Sequence, residues 1–355
     1  MAEEFVFEEL KELSDRVNTS VGMPPELLKR VKGMLDRLNR MAKLGGYTEG
    51  YDTLARYIDI LVSIPWSKRT TDNLDLSATK KLLDANHFGL EEVKDRILEY
   101  LSTAILKGRS VKEAISKSPI LLFVGLQGIG KTTFAISLAD ALGRKFVRIA
   151  MGGIGSVLEL RGRSKVFPEA EPGQIIKALV RSGVMNPLIL LDEIDKSSGE
   201  TGLRQDVMAT LLEILDPNQN TSFRDHYIDY PVDLSEVLFV CSANGLGTLS
   251  TALLDRMEII KMPSYTDYEK EVIARDYLLP KVLANAGLTK EDLTIDPGLW
   301  GQVIRPLGFD SGIRSLNRTL EAIARKVARE IVEGKSKSVN INAQNLKNYL
   351  PRGTI

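Results

Sequence analysis

Apolar side chains recur every three or four positions through the first 64 residues, and no strand-like alternation interrupts them. Met23-Pro24-Pro25 is a natural helix entry, because a first-turn proline gives up an N–H that has no partner anyway. Beyond it Leu27, Val31, Met34, Leu35, Leu38 and Met41 fall on one face, and Gly45-Gly46 closes the helix. Leu54, Tyr57, Ile58, Leu61 and Val62 trace a second helix that stops at Ile64-Pro65. Such stripes ordinarily mark helix–helix packing, so residues 1–84 are expected to form a helical arm. Near residue 85 the texture changes. Leu90, Val93, Ile97, Leu101, Ala104 and Ile105 make another amphipathic stretch. Short apolar runs then alternate with helical segments: Ile120–Val124, Phe146–Ala150, Leu188–Leu191, Val237–Cys241 and Ile259–Met262. This alternation needs crossover connections, and it predicts an α/β domain over residues 85–264 with a five-stranded, mainly parallel sheet. From Thr266 the period is helical again, most regularly at Ile313, Leu316, Leu320, Ile323, Val327 and Ile331. Only Val339–Ile341 reads as a strand there, so residues 265–355 are expected to form a small α-helical domain.

Composition narrows the function classes. The chain has 355 residues, 43% hydrophobic and 26% charged, a globular profile long enough for more than one domain. Lys+Arg 47 against Asp+Glu 47 removes the basic footprint of a dedicated nucleic-acid binder, leaving at most weak, non-specific DNA binding through a local patch. One cysteine and two histidines exclude a disulfide framework and a Cys- or His-rich metal site. Cys241 reads as a buried core thiol and His226 as structural. No apolar run approaches the ~18 residues of a membrane span, and Met1-Ala2-Glu3-Glu4 is neither a signal nor a transit peptide, so a cytoplasmic location is expected.

Gly125-Leu126-Gln127-Gly128-Ile129-Gly130-Lys131-Thr132 fits G-x-x-x-x-G-K-[ST] at every fixed position. An apolar run precedes it and a helical stretch, Thr132–Leu142, follows. Glycines let backbone N–H groups converge on phosphate oxygens, and a helix N-terminus adds favourable partial charge. Lys131 should contact the β- and γ-phosphates of ATP, Thr132 should reach Mg2+ through its hydroxyl, and Thr133 belongs to the same first turn. Leu188–Leu191 ends in Asp192-Glu193, with Asp192 suited to the metal's shell and Glu193 to activating the attacking water. Asn244, after the run Val237–Cys241, could hold that water or be a turn residue. Arg256 could serve as an arginine finger or pair with Asp255 or Glu258. Arg314, opening the last long helix, could reach a nucleotide or be merely solvated.

The words between these motifs are more specific. Glu159-Leu160-Arg161-Gly162, Pro172-Gly173-Gln174-Ile175-Ile176, Leu211–Pro217, Phe223-Arg224-Asp225-His226-Tyr227 and Gly312-Ile313-Arg314-Ser315-Leu316 resemble the Lon ATP-dependent protease family of AAA+ proteins. The resemblance runs from about residue 20 to 350. It implies an AAA+ P-loop NTPase fold, with Lys131 and Thr132 as Walker A residues and Asp192 and Glu193 as the Walker B pair. It further implies Asn244 as sensor 1, Arg256 as the finger given to a neighbouring subunit of a hexameric ring, and Arg314 as sensor 2. His87 and Phe88 match the segment that holds adenine, with Phe88 where Tyr is usual.

Three departures stand out. Leu126-Gln127 replace the two prolines usual in the family's glycine loop, costing rigidity but no phosphate contact. The aromatic–aliphatic–glycine step that grips a translocating polypeptide falls on Phe167-Pro168-Glu169, which would ring the axis with negative charge; a core phenylalanine is the alternative. A second pore loop is expected at Ser197–Arg204. The chain ends at Leu350–Ile355, where the family's proteolytic domain with its Ser–Lys dyad would begin, so no residue is assigned as a peptidase nucleophile. The expectation is an ATP-driven polypeptide unfoldase, partnered by unfolded substrates and by a protease domain or chain outside this sequence. The alternative is a nucleic-acid-remodelling AAA+ ATPase.

Overall fold

The computed structural model describes residues 2–43, 49–107, 119–167, 169–196, 201–305 and 312–351. The stretch expected to form the arm holds α1 (Ala2–Thr19), α2 (Pro25–Lys43), α3 (Glu49–Ser63) and most of α4 (Leu76–Asn86), and α5 (Glu91–Lys107) follows it. The alternating region follows with β1 (Ile120–Val124), α6 (Lys131–Ala141), β2 (Phe146–Ala150), α7 (Val157–Arg161), α8 (Gln174–Ser182), β3 (Leu188–Asp192) and α9 (Thr201–Leu215). It continues with β4 (Phe223–Arg224), β5 (Pro231–Val232), β6 (Leu238–Ala243), α10 (Thr251–Leu254) and β7 (Met257–Lys261). The last region holds α11 (Asp267–Val272), α12 (Leu279–Asn285), β8 (Leu293–Ile295), α13 (Trp300–Ile304), α14 (Arg314–Val332), β9 (Val339–Ile341) and α15 (Leu346–Tyr349).

Local chemistry sets the boundaries. Ser156 and Ser250 cap α7 and α10 by accepting from Leu158 and Leu253 N–H. Thr266 and Glu269 form a reciprocal capping box on α11. Between α11 and α12 the helix widens into a π turn, Ile273–Leu278, where Leu279 N–H reaches back to Ala274 O. Pro280 accounts for it, because its ring would strike the carbonyl one turn back in a regular helix.

The five-stranded sheet has the order β2-β3-β6-β1-β7. Phe146 pairs with Leu188 and Leu188 with Leu238, both in parallel register. Ile120 N–H to Arg256 O and Met262 N–H to Val124 O give the same sense at β7. The sheet and its crossover helices are those expected from the apolar runs. β3 and β6 are buried at every position, which is why they read as continuous apolar runs rather than alternating ones. Two small pairings were not expected: the antiparallel β4–β5 and the parallel β8–β9, which gives Val339–Ile341 its partner in Leu293–Ile295.

The chain divides into two compact units. Unit 1 comprises 1–75, 100–122 and 138–259; unit 2 comprises 76–99, 123–137 and 260–355. In unit 1, Val31, Leu38, Ile58 and Leu61 are sealed within the arm, and Leu179, Leu190 and Val240 around β3 and β6. Unit 2 has a core of Trp300, Val303, Leu316, Leu320, Ile323, Val327 and Ile341. Among the described residues no helix is long and apolar enough to cross a membrane.

Candidate active site

Unit 2 carries the glycine loop. β1 is buried through Leu121–Phe123 and releases the chain at Gly125. A Cβ at Gly125 would lie 2.2 Å from Ile129 Cδ1 and 2.6 Å from Met262 O, so no larger residue fits. Gly128 and Gly130 take φ of +78° and +96°, a conformation that L side chains avoid. Lys131 is buried and its ammonium donates to Gly125 O at 2.5 Å and Leu126 O at 3.0 Å, curling over the loop. Leu126 and Gln127 are exposed, Ile129 is buried, Thr132 is half-buried in the first turn of α6, and Thr133 donates to Gly130 O. The start of α14 meets this loop directly. Ile313 N–H donates to Gly128 O at 2.9 Å, a Cβ on Gly128 would lie 3.3 Å from Arg314 Cβ, and Tyr265 donates to Ile129 O. Arg314 itself is exposed at the start of α14. Left-handed glycines, a buried lysine and a helix N-terminus make a cradle that fits a phosphate chain.

His87 and Phe88 also belong to unit 2 but differ in surroundings. His87 is buried, with its ring 4.5 Å from Phe134. Asn86 donates to Ser137 Oγ, whose proton is then available to His87 Nε2 at 2.9 Å. Burial, reinforced by the charges of Lys94 and Lys281, pulls the imidazole down to about 4, so it is neutral at ordinary pH. Phe88 is half-buried between Tyr268 and Tyr277 and lines a cavity of about 510 Å³ with Asn86, Val272 and Lys281.

Unit 1 carries the carboxylates. Asp192, the last residue of β3, is buried; it accepts from Arg148 Nε at 2.6 Å and from the Ser242 hydroxyl. The same Ser242 Oγ accepts from Glu193 N–H at 2.9 Å. Glu193 has φ +58°, a conformation costly for a residue with a side chain, and its Oε1 lies 3.0 Å from Lys196 Nζ. Arg148 and Ser242 were not singled out in the sequence. Their signal was a polar residue inside each apolar run, at the third position of Phe146–Ala150 and immediately after Cys241. Asn244 is half-buried just after β6. Arg256 pairs with neither Asp255 nor Glu258. Its guanidinium donates to Leu212 O and lies 3.0 Å from Asp216 Oδ2, with 40% of the side chain exposed. The backbone N–H of Asn218, followed by Gln219 and Arg256, holds the Asp216 carboxyl below the usual range.

Phe167 is 54% exposed and Val166 79%, so Phe167 is no core residue. Together with Met34, Met41, Leu54, Tyr57 and Lys165 they line a cleft of about 510 Å³ within unit 1. Pro168 and residues 197–200 lie outside the described residues. Cys241 is fully buried, which raises its thiol and leaves it inert.

Residues 121–264 match the model of the ATPase family associated with various cellular activities, and residues 284–339 match that of the Lon protease AAA+ ATPase lid domain. The chain is 42% identical over 337 residues to Lon protease 2 of Thermus thermophilus, covering 93% of this chain and 41% of that protein. It is 42% identical over 342 residues to Lon protease 1 of Bacillus subtilis, covering 96% and 42% over 347 residues to Lon protease of Lawsonia intracellularis, covering 97%. The shares of those two relatives are 43% and 40%, so the chain spans about two fifths of the curated relatives it matches. With the two family models matching in chain order and about 42% identity along nearly the whole chain, the chain is an AAA+ ATPase module of the Lon family.

Proposed function

We propose that this module hydrolyses ATP to pull and unfold polypeptides, as the motor of a Lon-type protease acting in protein quality control. The observation that carries the reading is the bond from Ile313 N–H to Gly128 O, which ties the lid helix to the phosphate loop. A phosphate chain entering that loop changes the contacts of Gly128 and Arg314, and so has a mechanical route into α14. Lys131 would neutralise the β- and γ-phosphates, Glu193 would activate water, Asn244 would orient it, and Arg314 would read the γ-phosphate. Mg2+ supplies charge neutralisation when bound with the nucleotide, and Thr132 and Asp192 are the residues that would hold it. Phe88 and its aromatic neighbours give the adenine a stacking partner, while buried His87 supports that segment from behind.

In this reading residues 1–84 form the arm, 85–264 the nucleotide-binding body and 265–355 the lid of a subunit in a cytoplasmic hexamer. Arg256 serves the neighbouring subunit, and Phe167-Pro168 grips substrate. Peptide-bond cleavage is assigned to a domain or chain beyond this module. Exposed Lys29, Arg30, Lys32, Arg37, Arg40 and Lys43 on α2 favour weak DNA association as the second reading. ATP turnover measured with casein and with duplex DNA separates the two. Stimulation by casein supports the translocase; stimulation by DNA alone, lost steeply with salt, supports the nucleic-acid motor.

A further inference from the structure

The segment bearing Phe167 leaves α7 at Arg161 and rejoins α8 at Gln174, and its base is unusually tight. Arg163 N–H donates to Glu171 O at 3.0 Å, bringing the two ends together. Gly162 has φ +78°, and a Cβ there would lie 2.8 Å from both Asp225 Oδ1 and Gly173 N. A Cβ on Gly173 would come within 2.0 Å of Leu160 O. The backbones therefore touch with no side chain between them.

Asp225 caps this contact. It is fully buried, it accepts from Gly173 N–H at 2.7 Å through Oδ2, and through Oδ1 from Tyr227 and Ile228 N–H at 2.8 and 3.1 Å. His226 N–H donates to Arg161 O, closing the same junction from the other side. The arm joins in through Tyr57 of α3. Its hydroxyl donates to Ile228 O at 2.8 Å, its ring packs edge-on against Tyr227, and the Lys165 ammonium sits 4.5 Å above that ring. One tyrosine thus touches both the loop and the turn that clamps it.

We propose that Asp225 is the positioning residue of the Phe167 loop, its carboxylate fixing the loop's base so that the aromatic is presented to polypeptide, with Tyr57 linking that base to the helical arm. The proposal rests on the translocase reading for its functional consequence, but not for its geometry. A carboxylate is required because both oxygens must accept. In an amide, the NH2 group would face either Gly173 N–H or the Tyr227 and Ile228 pair.

The test compares wild type with Asp225→Asn and Tyr57→Phe by amide hydrogen exchange and by casein-stimulated ATP turnover. Exchange over 163–173 should quicken about tenfold in Asp225→Asn, the size expected for losing one bond to a charged acceptor. Basal turnover should stay unchanged, and the casein concentration for half-stimulation should rise while the maximum is retained. Unchanged exchange over 163–173 in folded Asp225→Asn overturns the proposal, as does a loss of basal turnover with no shift in the casein requirement. Should Asp225→Asn fail to fold, Tyr57→Phe decides: it keeps the ring, and faster exchange at 163–173 supports the clamp whereas unchanged exchange refutes it. Wild-type turnover indifferent to casein sinks the translocase reading alone, and the exchange measurement still judges Asp225.

Discussion

Ser242 is the residue whose role is clearest from geometry and least visible in the chain. Its hydroxyl donates to Asp192 and accepts from Glu193 N–H, so one oxygen orients both acids and holds Glu193 at φ +58°. Ser242→Ala leaves that amide without this acceptor, a cost of about 1–3 kcal/mol that the backbone can relieve by rotating Glu193 away. We expect kcat for ATP to fall about tenfold or more while nucleotide affinity changes little, measured by steady-state turnover beside a binding titration. Glu193→Gln should likewise bind ATP but not hydrolyse it. Asp192 and Glu193 were legible in the sequence because acids ending an apolar run stand out. Ser242 was not, because only the register pairing Leu191 with Cys241 brings the next residues of β3 and β6 side by side. His87 gives a prediction with a definite sign. Its folded value, about 4, lies below the ordinary 6.5 because burial disfavours the charged ring. The unfolded chain therefore takes up the proton first as pH falls. The stability is fully present above pH 6.5 and is lost progressively towards pH 4, by up to about 3 kcal/mol. Asp225 runs the other way: burial raises its carboxyl from 3.8 to about 6, so its contribution declines as pH rises across that window. Denaturant midpoints of wild type and His87→Gln between pH 4 and 7 isolate the histidine; parallel curves for the two proteins would refute its assignment.

At the scale of elements, what the sequence reveals is what a single periodicity can carry. β2 runs from Phe146 to Ala150 as its apolar run does, and α14 opens at Arg314 with Leu316, Leu320, Ile323 and Val327 buried along one face. The two-residue strands β4 and β5 and the three-residue β8 escape, since so few positions show no period and their pairing is set by tertiary contact. The junction between α14 and the glycine loop was equally hidden, because nothing in the spacing says that Gly312 must be glycine. In the fold, a Cβ on Gly312 would lie 2.6 Å from Gln127 O and 2.9 Å from Gly128 C. Gly312→Ala must push the start of α14 off the loop, whereas the lid core around Trp300 and Leu320 is untouched. The expected result is ATP affinity weakened about tenfold with the melting temperature nearly unchanged, the pattern of a local steric shift rather than a core defect. Calorimetric titration and a thermal melt on the same sample check it, and a large loss of melting temperature would place Gly312 in the fold's stability instead.

For the whole molecule the decisive residue is Arg256. Within the chain its guanidinium is held by Leu212 O and Asp216, yet 40% of the side chain remains exposed, so a modest rearrangement would present it to another copy. If it completes a neighbour's site, the contact is head-to-tail, and closed head-to-tail contacts generate rings. Turnover per chain should then rise with protein concentration, and Arg256→Ala should lose it at any concentration while still binding ATP. A mixing experiment separates this from a role within one chain. Arg256→Ala keeps its own Glu193, and Glu193→Gln keeps its own Arg256, so each is inactive alone. In a mixed ring, an Arg256→Ala subunit beside a Glu193→Gln neighbour has both groups again. Random assortment of equal amounts restores about one quarter of the sites when each needs one group from each of two adjacent copies. If Arg256 served only its own chain, no pairing would rebuild a complete site and the mixture would stay as inactive as its parts. Recovered turnover that grows with total concentration is thus the signature of a motor whose working unit is the ring, and its absence would confine hydrolysis to the single chain.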